Sequence, residues 1–189
     1  MIHARTSRRL VFAFTIAGSL LATPVAAQQT GTSSAAQPGR MQTALANDVA
    51  TLSDKFVGLA RVMAGKYDWR PGQGVRSVAE VFNLIVNENR MLAGLLSGTQ
   101  GGGRGGGGAQ PAPITDPAAM QEALRSTYAT LRQAIAGLSD SDLSAAVRMF
   151  GQDTTKQGAA LMLLFDQHEH LGQSIAYART NAVVPPWSK

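Results

Sequence analysis

The stretch from Thr154 to Trp187 constrains this chain most. No proline interrupts it before Pro185, and Thr154 or Thr155 supplies a hydroxyl that can accept from the free amides of a first helical turn. Asn181 and the Pro185-Pro186 pair supply the stop. A long helix is therefore expected over its first two-thirds. That helix carries His168 and His170, the only histidines outside the first few residues, so metal or acid-base chemistry should begin there.

Three further segments show helical periodicity. Met41, Leu45, Val49, Leu52, Phe56, Leu59 and Met63 recur at steps of three and four, which marks one apolar helix face between Met41 and Ala64. Lys66 to Arg76 reads as a loop, punctuated by Pro71, Gly72 and Gly74. Ser77 and Glu80 match a capping box that opens a second helix running to about Ser97. Its face is Val78, Val81, Phe82, Ile85, Leu92, Leu95 and Leu96. A third helix starts at Asp116 with Pro117 in its first turn, and Met120, Leu124, Tyr128, Leu131, Ile135 and Leu138 line its core side. Ser139 to Phe150 is expected as a short extra helix capped by Ser139. Four long helices with no credible strand pair predict an all-α bundle.

The remaining segments set an address and exclude some chemistries. Arg5, Arg8 and Arg9 precede the short apolar run Leu10 to Leu21, and Val25-Ala26-Ala27 offers small residues for cleavage. Residues 1–27 thus read as a signal peptide, with the mature chain starting at Gln28 and a periplasmic or secreted destination. The run is shorter than the roughly 20 apolar residues of a spanning helix, so no membrane anchor is expected after cleavage. Ser7 to Phe12 resembles a twin-arginine signal, and an ordinary basic start fits as well. Residues 28–40 are polar and small and read as a disordered leader. Between 98 and 115, seven glycines surround Arg104, which predicts a flexible insertion rather than a phosphate loop, since no strand precedes it and no Gly-Lys-Ser/Thr follows. Losing Arg5, Arg8 and Arg9 lowers the 17 basic residues to 14 against 12 acidic ones, which gives no support to a nucleic-acid surface. The chain has no cysteine, so disulfides, thiolate metal sites and a cysteine nucleophile are excluded.

Four segments occur in a familiar order: WRP in the loop, SVAEVF opening the second helix, EHLGQSIAYAR in the last, and VVPPW after it. Together they resemble the DinB/YfiT superfamily over about Met41 to Ser188. The resemblance implies an up-down-down-up four-helix bundle, often a homodimer. It also implies a divalent metal, zinc or nickel, held by one histidine on the second helix and two spaced four apart on the last. Some such proteins act with a low-molecular-weight thiol.

The three positions here are Leu84, Asp166 and His170, so one histidine of three is left. Leucine cannot ligate. Asp166 and His170 alone make weak metal candidates, and Glu88, one turn beyond Leu84, is the plausible substitute ligand. Asp166 and His170 are expected to pair with each other across one turn. By periodicity His168 joins the stripe of Leu161, Leu164, Leu171 and Ile175 and should be buried and hydrogen-bonded. His170 falls on a mixed face with Leu163, Asp166, Gln173 and Tyr177 and should be exposed, whereas the resemblance turns it toward the bundle cavity. Tyr177 is expected at the core rim, and Trp69 and Trp187 over the bundle ends.

Three functions follow. The favoured one is an exported, metal-free or metal-weak bundle that binds a small molecule or a partner, carrying no stoichiometric zinc or nickel. A metal-dependent, thiol-dependent transferase or hydrolase with a reworked ligand set would gain from convergence of Glu88, Asp166 and His170. Export weighs against its thiol, because such thiols are mainly cytosolic. A structural dimerisation module is the third.

Overall fold

Helix formation follows the apolar spacing and the caps. The computed structural model describes residues 39–99 and 112–188. The expected signal peptide, nearly all of the leader, and the glycine-rich centre of the insertion lie outside the described residues. α1 spans Arg40–Val62, beginning inside the expected leader, and continues into a 3-10 turn at Ala64–Lys66. α2 spans Val78–Leu96 behind the expected capping box: Ser77 Oγ accepts from Glu80 N at 3.2 Å and Ser77 N donates to Glu80 Oε2 at 2.6 Å. α3 spans Pro117–Ala136 with Asp116 as its cap.

The segment after α3 differs from expectation. The short helix α4 covers only Asp140–Ser144, and the chain then forms an antiparallel hairpin, β1 (Ala146–Met149) with β2 (Gln152–Thr155). So a strand pair does exist. Its turn is Phe150-Gly151, at φ 51° and 82°, the left-handed pair a tight two-residue hairpin needs. Only Met149 is fully buried, so four-residue strands leave too little alternation to read in sequence. Thr155 then caps α5, Lys156–Thr180, accepting from Gly158 N at 3.0 Å.

The four long helices form an up-down-down-up bundle. α1 and α2 each pack against both α3 and α5, which places α1 and α2 across a diagonal. Aromatic rings fill the centre: Phe56 of α1 meets Phe82 of α2 edge-on at 6.3 Å and stacks on Tyr128 of α3 at 6.2 Å. Burying each such ring contributes about 1.5–3 kcal/mol. Among the described residues, no helix is long and apolar enough to cross a membrane.

α5 carries its inward face where apolarity does not mark it. Ala160, Leu164, Gln167, Leu171, Ser174 and Ala178 are all buried, while Phe165 and Met162 are exposed. Leu161 and Ile175, on the expected stripe, are only partly buried. The true face has steps of four and three, but two of its members are polar.

Candidate metal-binding site

α2 delivers one acidic group to the interior. Glu88 lies three residues after Ile85 and four before Leu92, both fully buried, so the helical period turns its carboxylate inward. α5 delivers the other two groups. Asp166 and His170 flank the buried Gln167 and Leu171, one turn apart. One ligand atom from each of Glu88, Asp166 and His170 lies within 4.8 Å of the others. Exposure grades across the cluster: Glu88 is 8% exposed, the His170 side chain 16% and the Asp166 side chain 43%. The cluster has a buried floor and an open rim.

Burial pushes the Glu88 carboxyl up to about 8, and the hydrogen bond and charge of Asp166 add to this. A hydrogen bond from Gln167 and the charge of Arg76 pull the other way. Glu88 Oε2 is buried with no hydrogen-bond partner. His170 Nε2 and Asp166 Oδ2 are 3.6 Å apart, too far for the hydrogen bond expected between them. The imidazole is instead fastened by its other nitrogen, with Nδ1 2.8 Å from Gln173 Oε1.

The donor set fits a divalent cation. Ligand atoms about 2.1 Å from a tetrahedral ion stand about 3.4 Å apart, close to the Asp166–His170 spacing. A Glu88 carboxylate oxygen supplies the third atom that the two α5 residues lack. Two carboxylates and one imidazole suit zinc, iron(II) or manganese(II).

A buried polar layer lies beneath the site. Tyr128 Oη donates to Gln167 Oε1 at 3.0 Å, Gln167 Nε2 donates to Asn89 Oδ1 at 2.9 Å, and Asn89 Nδ2 donates to Thr127 Oγ1 at 3.3 Å. The Thr127 hydroxyl donates to Ala123 O at 2.7 Å. Burial first, then the charge of Glu88, holds the Tyr128 hydroxyl well above its usual range. Asn89 and Gln167 directly follow Glu88 and Asp166, so this layer ties together the two helices that carry the ligands. Sequence reasoning missed it; the four-three spacing of Gln167, Leu171 and Ser174 was the available signal.

The two histidines are the reverse of the periodicity reading. His168 is on the surface, its Nε2 3.0 Å from both carboxylate oxygens of Asp48, with the two side chains 43% and 36% exposed. It joins α5 to α1 and takes no part in the cluster. His170 is the half-buried one, as the resemblance implied. Leu84 is half-buried, one turn before Glu88. Asn83, beside it, exchanges two 2.9 Å hydrogen bonds with the Ile114 backbone and so pins the start of the α3 approach. Tyr177 is buried, its ring edge-on to Trp69 at 5.2 Å. Lys55 Nζ lies 5.7 Å over the Trp187 ring.

A DinB-like protein from Bacillus cereus ATCC 10987 shares the fold, with a TM-score of 0.64 at 15% identity over 78% of this chain and 97% of that one. A DinB-like protein from Bacillus subtilis superposes with a TM-score of 0.60 at 13% identity, covering 74% of this chain and 92% of that one. No curated protein matches the chain. The family model of the DinB superfamily matches residues 52–174, a span that holds the whole Glu88–Asp166–His170 cluster. The chain belongs to the DinB superfamily.

Proposed function

We propose that this protein binds a divalent metal ion through Glu88, Asp166 and His170, as a metal-dependent hydrolase or transferase with a reworked ligand set. The convergence of those three ligand atoms carries this reading over a metal-free bundle. Glu88 takes over one turn along α2 from the leucine at position 84. A bound cation would supply Lewis acidity and a more acidic bound water. The chain's own residues then divide the work. Glu88 holds from the buried floor, where water is scarce and charge interactions are strong, with the half-buried His170 beside it. Asp166, on the open rim, has access to solvent and can pass a proton to it.

The test is calorimetric titration of the untagged chain with zinc and with manganese. One equivalent should bind, and Glu88→Gln and His170→Ala should each weaken binding at least about tenfold, because a ligand is removed. No uptake of either ion, or uptake undiminished in both variants, would overturn the reading in favour of a metal-free binding protein. Export and homodimer formation are separate proposals. Intact mass of exported protein should show a start near Gln28, and sedimentation should show a dimer.

A further inference from the structure

We propose that Tyr177 and Gln173 are positioning residues that keep His170 protonated at Nδ1, so that Nε2 offers a lone pair toward Glu88 and Asp166. The inference rests on the metal-binding reading for its purpose, though not for its geometry. The polarity of the relay can be derived from its far end. The Arg76 backbone carbonyl can only accept, and the Tyr177 hydroxyl lies 3.1 Å from it. A hydroxyl has one hydrogen, and that hydrogen is spent on Arg76. Toward Gln173 the Tyr177 oxygen can therefore only accept, so the amide nitrogen of Gln173 faces it, at 2.7 Å. The amide oxygen of Gln173 is left facing His170 Nδ1 at 2.8 Å. An amide oxygen has no proton to give, so Nδ1 must carry one. Nε2 is the nitrogen that remains, and it is the one beside Asp166.

For the neutral imidazole, each alternative arrangement loses a hydrogen bond. With the proton on Nε2, the Nδ1 lone pair would face the Gln173 oxygen at hydrogen-bonding distance. Flipping the Gln173 amide would set its oxygen against the Tyr177 oxygen unless Tyr177 abandoned Arg76. The anchor is also held in place. Tyr177 is buried and packs edge-on against Trp69, and Arg76 immediately precedes the capping box that starts α2. The relay therefore references the His170 ring to the same helix that carries Glu88. A ligating histidine with its second nitrogen bonded to an outer partner keeps its tautomer and ring orientation, and losing the partner typically weakens metal affinity about 10–100-fold.

The experiment is a long-range proton–nitrogen correlation on metal-free protein labelled at histidine nitrogen, near pH 8, with His168→Gln used for assignment. His170 should show a protonated Nδ1 and a bare Nε2. Tyr177→Phe removes both roles of the hydroxyl and should shift His170 toward the Nε2-protonated form. Gln173→Leu, at a half-buried position, should do the same and covers the case in which Tyr177→Phe does not fold. In either folded variant zinc affinity should fall about tenfold. An Nε2-protonated His170 in the unmodified protein, or an unchanged tautomer in the folded variants, would overturn the proposal. The same samples separate it from the metal reading. Nδ1 protonation that responds to the variants without uptake of zinc or manganese upholds the relay and removes the metal site; metal uptake with an unresponsive tautomer removes the relay alone.

Discussion

Glu88 and Asp166 bring carboxylates from α2 and α5 into one cluster, ligand atoms within 4.8 Å. Burial of Glu88, reinforced by Asp166, raises its carboxyl to about 8, so the metal-free fold holds a proton there at neutral pH. The unfolded chain releases that proton at an ordinary carboxylate pKa near 4.3.

The pH dependence of stability follows from this pair. The folded state binds the proton more tightly than the unfolded state, so this group makes the metal-free protein less stable as pH rises from about 4.5 to about 8. The effect should reach a few kcal/mol, at about 1.4 kcal/mol per pKa unit. Urea unfolding in the presence of a chelator, at pH 5.5 and 8.5, should show Glu88→Gln gaining on the unmodified protein as pH rises. Parallel stability curves would contradict the raised carboxyl.

The buried layer of Tyr128, Gln167, Asn89 and Thr127 should behave as a unit. Gln167→Leu leaves the Tyr128 hydroxyl and the Asn89 amide oxygen without their partners and should cost about 2–4 kcal/mol. Tyr128→Phe should cost about 1–2 kcal/mol, and the double variant less than the sum of the two. Denaturant unfolding of the four proteins measures the coupling; strict additivity would count against a connected layer.

His168 and Asp48 make the contrasting case. Both are substantially exposed, so Asp48→Asn and His168→Gln should each change stability by less than about 1 kcal/mol. A loss of several kcal/mol on thermal unfolding would restore His168 to the core.

The hairpin depends on Gly151, whose φ of 82° lies in the left-handed region. A Cβ there would meet nothing within 4 Å, so Gly151→Ala should cost only its conformational penalty, about 1–2 kcal/mol. A neutral result by urea unfolding would show that the turn is not held in this conformation.

Sequence alone determined α1, α2 and α3, because each buries a face of apolar residues spaced three and four apart and starts at or beside a residue with the conformation or side chain a helix start requires. Every expected face residue of α2 and α3 is buried, and on α1 only Met41, at the first turn, is not. The four segments from WRP to VVPPW likewise pointed to the family. Tertiary structure alone decided which side of α5 faces in. Gln167 and Ser174 are buried there, and Gln167 meets groups from α2 and α3, 78 and 39 residues away, that satisfy its amide. A polar residue becomes a tolerable core residue only once such partners are in place, and helical periodicity cannot register them. For the site, the sequence named Glu88, Asp166 and His170 as candidates, and only the α2–α5 packing decided that their ligand atoms come within 4.8 Å of one another.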